Sequence, residues 1–222
     1  MKKHKAGTEE NFGRHPPDLP EDLEEADDPA RLFAEPDVEI SERLVRGLKL
    51  EAPNIGKLRV DSSVVERTAM PRAVIRTAKW KDVRFSECDL ANVEIGALTA
   101  VRVEFRACRM TGLRFGDCEW QSLLVSGGDQ RYAQFRFSSF RTSEFEGCDL
   151  QDADFYGADL RGCVFRRCNL RNVEMSKARL GGTDFRGSVV EGLKVGAEDI
   201  SGAIVDAAQA LIFAPLLGIR IL

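Results

Sequence analysis

The chain has 222 residues with a formal net charge of −4, and 43% of its residues are hydrophobic while 31% are charged. This composition is typical of a globular protein, and no apolar stretch is long enough to predict a membrane-spanning helix. The two histidines are His4 and His15 and no Cys-x-x-Cys pair occurs, so no metal, cofactor or catalytic motif is predicted and a non-enzyme is expected.

The N-terminal region differs in composition from the rest of the chain. Residues 1–30 are acidic, contain four prolines and carry few apolar groups, which predicts a disordered tail. Residues 31–55 include Leu32 and Phe33 and the first weak repeats. We expect them to form an N-terminal cap, since an open strand edge would otherwise be exposed.

A five-residue repeat dominates the chain from Ile40 to Val205. Every fifth residue in this range is apolar, and Gln130 is the one polar exception. Neither a helix nor a flat strand has this period, and a short fixed repeat predicts a solenoid. The residue two positions before each apolar centre is usually small, so each unit turns one large and one small side chain inward.

Three units carry the repeat most clearly: residues 153–157 (Ala-Asp-Phe-Tyr-Gly), 158–162 (Ala-Asp-Leu-Arg-Gly) and 168–172 (Cys-Asn-Leu-Arg-Asn). They resemble the consensus of the pentapeptide-repeat family, and the resemblance covers about residues 38–205. It implies an all-β fold, a right-handed quadrilateral parallel β-helix with four short faces in each coil. We expect about eight coils, with residues 56–205 as the regular part and a short capping helix at the C-terminus.

Two patterns at a spacing of 20 residues support four faces in each coil. Between residues 55 and 206, charged residues 20 apart form 13 opposite-sign pairs and five like-sign pairs. Trp80, Ala100 and Trp120 would also stack in one column, alternating large and small side chains as packing requires.

The cysteines follow the repeat as well. All six occupy the small inward position, where a thiol acts as a small hydrophobe; they are Cys88, Cys108, Cys118, Cys148, Cys163 and Cys168. Packing is the favoured interpretation, although coils about 4.8 Å apart would also admit a disulfide. Free thiols favour a reducing compartment, and we expect a cytoplasmic protein.

The repeat fails at residues 126–131, where Gln130 stands at the large inward position. An inward polar side chain is costly without partners, so a bulge or an outward loop is predicted. Outward aromatic and arginine side chains follow, a composition typical of interaction hot spots. The candidate partner surface comprises Asp129, Gln130, Arg131, Tyr132, Arg136, Phe137 and Tyr156. A tolerated repeat defect with incidental aromatics remains the alternative.

An acidic band follows, and it contains no lysine or arginine. Its members are Glu144, Glu146, Asp149, Asp152, Asp154 and Asp159. Basic residues come next along the chain, so a solvated surface of paired charges is favoured over an acidic binding patch.

The C-terminal segment, residues 206–222, leaves the repeat. Ala207 to Phe213 is predicted as a short helix with Asp206 as a candidate N-cap, and residues 218–222 as a final strand. Its apolar side chains exceed what one coil end needs; they are Leu211, Ile212, Phe213, Leu216, Leu217, Ile219, Ile221 and Leu222. The segment resembles the C-termini through which some family members form two-fold dimers, so a homodimer is expected, with a cap folded on its own coil as the alternative.

Two functions remain open. The resemblance includes resistance proteins that imitate duplex DNA and protect DNA gyrase from inhibitors, which requires a strongly negative rod. Residues 51–222 carry 24 basic and 23 acidic residues, so the net charge comes from the N-terminal region. The sequence therefore favours a non-catalytic scaffold that binds another, unidentified protein, with gyrase protection as the alternative. Nucleic acid and membranes are not expected partners.

Overall fold

The computed structural model of the chain describes residues 13–220, and they form a parallel β-solenoid of about seven turns. Long strands build its first half: β4 (Asn54–Glu66), β5 (Val74–Ser86), β6 (Glu94–Arg106) and β7 (Arg114–Ser126). The shorter strands are β1 (Glu24–Glu25), β2 (Asp37–Ser41), β3 (Arg43–Arg46), β8 (Ser139–Arg141), β9 (Glu144–Glu146) and β10 (Val164–Arg166).

Neighbouring coils pair in parallel with a register of 20 residues. Ile75 lies opposite Ile55 on one side and Ile95 on the other. Beyond β10 the ladder is reduced to isolated bridges, but the register continues as far as Asp184 and Ile204. The 20-residue coil predicted from charge and residue size is therefore confirmed.

The apolar centres stack in columns inside the solenoid. Phe85 lies on Phe105 with ring centroids 4.9 Å apart, and Phe135 lies on Phe155 at 4.7 Å. All six cysteines are buried and free. Burial raises the pKa of the Cys118 and Cys163 thiols to about 12, in accordance with a packing role.

The chain turns two residues after most apolar centres. Arg67, Arg72, Glu87 and Asn92 all have positive φ angles between 47° and 59°. An L-residue is disfavoured in this region. The turn is nevertheless required, because a straight strand would send the next odd step of the repeat to the opposite face.

The first described residues differ from the disordered tail that the sequence predicts. Residues 13–26, here called the strap, lie along the outside of the solenoid, and β1 pairs with β3. The amide of Asp18 donates to Oδ1 of Asp82 at 2.8 Å, and the side chain of Arg14 is paired with Glu104. Composition alone did not reveal these partners, which lie 64 and 90 residues away in sequence. Residues 1–12 lie outside the described part.

A 3₁₀ helix (Pro29–Phe33) follows the strap, and Leu32 and Phe33 are partly buried against the core. This region leads into β2 and β3, which pair with β4 and begin the solenoid.

At the other end, the helix α1 (Ala207–Phe213) covers the last coil. Asp206 and Gln209 form a reciprocal capping box. Nε2 of Gln209 also donates to the carbonyl oxygens of Phe185 (2.6 Å) and Ser188 (2.7 Å), while Phe213 is buried. A second 3₁₀ helix (Ala214–Leu217) follows. The structure assigns no strand to residues 218–220, which differs from the predicted final strand, and Ile221 and Leu222 lie outside the described residues.

Candidate protein-binding surface

The break in the repeat does not form the predicted bulge or loop. Gln130 is completely buried at the inward position, and Asp129 before it stays in register with the coils on both sides. The side chain is tolerated because its Nε2 donates to the carbonyl oxygens of Cys108 (3.3 Å) and Gly127 (2.9 Å). The expectation of an outward loop was therefore wrong, because the backbone of an adjacent coil and of the turn before Gln130 supplies partners for Nε2. Oε1 of the same side chain is buried without a hydrogen-bond partner among the described residues.

Gly128 makes this arrangement sterically feasible. Its φ of +84° is a conformation that L side chains rarely adopt, and a Cβ there would overlap the backbone of Cys108. The glycine and Gln130 thus replace the usual small and large inward residues together.

The structure brings four exposed or half-buried residues together on an adjoining face, here called the aromatic cluster: Arg136, Phe137, Tyr156 and Lys177. The rings of Phe137 and Tyr156 meet edge to face with centroids 5.6 Å apart. The guanidinium carbon of Arg136 lies 5.0 Å from the Tyr156 centroid, and Nζ of Lys177 lies 5.4 Å from the same ring. These are cation–π distances.

Backbone geometry positions the cluster. Phe137 is a corner residue with a φ of 57°, and its amide donates to the carbonyl of Tyr156 at 3.0 Å. The ring lies over Gly157 on the next coil, where a Cβ would approach a ring carbon to 2.7 Å. Phe137 remains 64% exposed. A large apolar side chain is thus held open to solvent by a rigid turn.

Charged neighbours orient the cations of the cluster. Asp154 lies 3.5 Å from Arg136, and its Oδ1 accepts the amide of Tyr156 at 2.9 Å. A hydrogen bond to Tyr156 raises the pKa of Lys177, so its ammonium stays charged. The sequence-based candidate surface omitted Lys177. The 20-residue register could have indicated Lys177, because position 177 stacks on position 157 of the preceding coil, and residue 157 is the neighbour of Tyr156.

The other predicted members of this surface do not join the cluster. Tyr132 is 55% exposed at a different corner, and no ring contact links it to Phe137 or Tyr156 in the described part of the chain. Arg131 forms a two-bonded ion pair with Asp129, at 2.9 and 2.7 Å, which lowers the Asp129 pKa to about 2. The predicted surface therefore divides into an ion-paired turn and a separate aromatic cluster.

The predicted acidic band is largely neutralised by arginines. Glu144 lies 3.5 Å from Arg166, and Glu146 pairs with Arg167. Asp159 lies 2.7 Å from Arg161, whose hydrogen bond lowers the pKa of this carboxyl. Asp149 and Asp154 are paired with Arg131 and Arg136, while Asp152 accepts a hydrogen bond from Gln151. The carboxylates of this band are therefore mostly paired with arginines, which differs from the continuous negative charge of a nucleic acid.

The C-terminal segment exposes an apolar patch. Leu211 and Leu217 are 59% and 61% exposed. Ile212, Leu216 and Ile219 are also exposed. Phe213, in contrast, is buried against the last coil, so one member of the predicted interface belongs to the cap.

Residues 13–220 contain no group of three or more His, Cys, Asp or Glu residues that could hold a metal ion. No helix in the described chain has the length and apolarity needed to cross a membrane.

Two family models match the solenoid. One, described as pentapeptide repeats, matches residues 148–187 with eight copies, and the other, described as a pentapeptide repeat region, matches residues 78–153. A search of curated protein sequences finds no match.

Solved structures with the same repeat are similar at low identity. A trypsin-treated form of QnrB1, described as a plasmid-mediated fluoroquinolone resistance protein, is 19% identical, with 90% of this chain and 96% of that chain covered and a TM-score of 0.39. HetL from the cyanobacterium Nostoc, described as involved in heterocyst differentiation regulation, is 14% identical, with 70% and 86% covered and a TM-score of 0.22. At these scores the likeness supports no transfer of function.

Proposed function

This chain belongs to the pentapeptide-repeat family, and we propose that it is a non-catalytic scaffold that binds another protein through its aromatic cluster. The observation that supports this most directly is the exposed Phe137 ring, held against Tyr156 and beneath Arg136 on a rigid corner. Aromatic and arginine side chains are enriched where binding energy concentrates in protein interfaces.

The cluster favours a partner that offers both apolar and acidic groups. Phe137 supplies a large apolar surface that loses little conformational freedom on binding, because its backbone turn and Gly157 already position it. Lys177 and Arg136 both place positive charge beside the ring of Tyr156. A partner segment with an apolar side chain beside a carboxylate would satisfy both features.

We also propose that two chains pair through the C-terminal apolar patch. Leu211, Leu217 and Ile219 are more exposed than an end cap requires. Exposed apolar patches of this kind are typical of interfaces, and two-fold pairing buries the same patch on both chains. The six free, buried thiols support a cytoplasmic location.

Protection of DNA gyrase is the alternative function. The ion pairs within the acidic band argue against it, because they reduce the negative field that a duplex imitation needs. A gyrase supercoiling reaction, with and without ciprofloxacin, distinguishes the two functions. Inhibition of gyrase or protection from the drug would reverse this order of preference.

The scaffold proposal is tested by affinity capture from the native cell with the full chain. Phe137→Ala and Tyr156→Ala together should abolish capture of at least one protein that the wild-type chain retains. Val74→Ala, which removes an exposed apolar side chain on another coil, is one control, and Tyr132→Ala, which removes an exposed ring outside the cluster, is the other; both should capture the same set as wild type. Identical capture by the double variant and wild type would reject the aromatic cluster as the partner surface.

A further inference from the structure

The strap lies on an outward face that is unusual for this solenoid, here called the strap face. This face carries Val64, Glu104 and Leu124, which occupy the same position in different coils. Their side chains point away from the core, yet all three are buried. Ser122 and Asp82, at the corners beside this column, are also buried. The strap therefore covers a surface that combines apolar side chains with hydrogen-bond acceptors.

Three polar contacts anchor the strap to these acceptors. A guanidinium nitrogen of Arg14 lies 3.1 Å from Oε1 of Glu104, whose side chain is 1% exposed. The amide of His15 donates to Oγ of Ser122 at 3.3 Å, and the amide of Asp18 donates to Asp82. One arginine side chain and two main-chain amides thus define what the face recognises, and any extended peptide can offer such amides.

The first part of the strap, residues 13–18, is held by few side chains, since only Arg14 and Pro17 are buried there. The end of the strap is held more firmly, because β1 pairs with β3 and its glutamates form ion pairs with Arg43 and Arg46. Segments with few buried apolar contacts open locally at a small fraction of the global unfolding free energy. Residues 13–18 should therefore detach from the solenoid more readily than the paired coils do, and the rest of the strap would follow.

The fit of the strap is also incomplete. Nε of Arg14 is buried without a hydrogen-bond partner, which is unfavourable for a charged group. Beside it lies a cavity of about 270 Å³, lined by acidic and basic side chains that include Glu146, Arg106 and Arg166. The described strap thus leaves part of this polar surface unfilled.

We propose that the strap face is a docking site for an extended peptide bearing an arginine, and that the strap occupies it as a displaceable cover. A partner peptide would place its arginine on Glu104 and its main-chain amides on Ser122 and Asp82 after the strap lifts off. This site is on a different face from the aromatic cluster and is independent of the scaffold proposal.

The first test uses the wild-type full chain and hydrogen exchange. The amides of His15 and Asp18 should exchange at least about tenfold faster than the amide of Leu90, which is bonded between coils. Equal protection of strap and coil amides would show that the cover does not open, and would overturn the proposal.

The second test measures binding of a fluorescein-labelled synthetic peptide with the sequence of residues 13–26. Full-chain Arg14→Glu places a carboxylate beside Glu104 and weakens the strap, whereas Arg31→Glu makes the same charge change outside the strap and is the control. The peptide should bind Arg14→Glu at least about tenfold more tightly than wild type or the control, a difference of ~1.4 kcal/mol.

The same peptide with alanine in place of its arginine should lose at least about tenfold of its affinity for Arg14→Glu. Failure of the peptide to bind a folded Arg14→Glu chain, or equal affinity of the arginine and alanine peptides, would overturn the proposal.

Discussion

Trp80 and Trp120 lie two coils apart in the solenoid, yet their ring centroids are separated by 6.3 Å. Two coil spacings amount to about 9.6 Å, so the indoles lean toward each other. Ala100 makes this approach feasible because it lies between them in the same column and contributes only a methyl group. The two indoles therefore fill the column by sharing the space that the small side chain of Ala100 leaves between them.

Enlarging Ala100 should destabilise the solenoid. Ala100→Leu would force the two indoles apart within a closely packed interior, and overpacking of this kind costs about 1–3 kcal/mol. Urea unfolding followed by tryptophan fluorescence measures the change. Ala97→Leu on the outer side of the same strand is the control, with an expected change within about 0.5 kcal/mol. Equal effects of the two variants would contradict the packing of this column.

Two substitutions at Gln130 should have opposite outcomes. Gln130→Leu restores the repeat, and the carbonyl oxygen of Cys108 keeps the amide of Asp129 as a donor, so the change should stay within about 1 kcal/mol. Gln130→Glu would bury a carboxylate against carbonyl oxygens and should cost about 3 kcal/mol or more. Thermal and urea unfolding of both variants measure the difference, and tolerance of the glutamate would show that this interior site is wetter than the structure indicates.

The pH dependence of stability should reflect Glu104. Burial by itself raises the pKa of this carboxyl, but hydrogen bonds from Arg106 and Arg84 outweigh burial and lower it. A lowered folded-state pKa stabilises the fold above the unfolded value, about 4.3, and that contribution is lost as the pH falls through the folded-state pKa.

Glu104→Gln should therefore destabilise the protein most at pH 7, and its difference from wild type should shrink below about pH 4. Urea midpoints at several pH values measure this, with exposed Glu119→Gln as the control. A difference that stays constant with pH would contradict the role assigned to the ionised carboxylate.

Gly157→Ala should disturb the aromatic cluster. Gly157 and Gly162 have φ angles of +67° and +71°, so alanine is similarly strained at both positions, about 1 kcal/mol. A Cβ at residue 157 would additionally meet the Phe137 ring, whereas nothing lies within 4 Å at residue 162. Gly157→Ala should thus weaken partner capture more than Gly162→Ala. Equal capture by the two variants would contradict the contribution of Phe137 orientation.

The proposed dimer should depend on exposed leucines. Leu211→Asp together with Leu217→Asp should convert a dimer to a monomer at micromolar concentration in sedimentation equilibrium, because each aspartate would be desolvated in the interface. Val74→Asp, at an exposed site on the solenoid, should leave the dimer intact. A wild-type chain that sediments as a monomer at micromolar concentration would reject the interface outright.

Much of the fold was predictable because each coil repeats the same local rule. The five-residue frame assigned the inward side of Phe85, Phe105 and Cys108, and the charge pairs gave the 20-residue register. The C-terminal helix was predictable from Asp206 and the alanines after it. These features depend on residues close in sequence or at one constant spacing.

The candidate surface was less predictable. The frame indicated that Phe137 and Tyr156 point outward, but not that Tyr132 lies apart from them or that Lys177 completes the cluster. Gln130 was interpreted as a break in the repeat because its partners are main-chain carbonyl oxygens, those of Cys108 and Gly127. The types of side chain in a sequence do not indicate which main-chain groups will lie near a given residue.

By itself, the sequence determined the solenoid, its register, its buried columns and its capping helix, because a strict repeat imposes the same inward and outward choice at every step. Only the tertiary structure decided that Arg14 lies on Glu104, that the strap covers Val64 and Leu124, and that arginines neutralise the acidic band. The physical reason is that these contacts join residues at no fixed spacing, and their stability comes from burial and charge pairing that exist only after the coils have stacked.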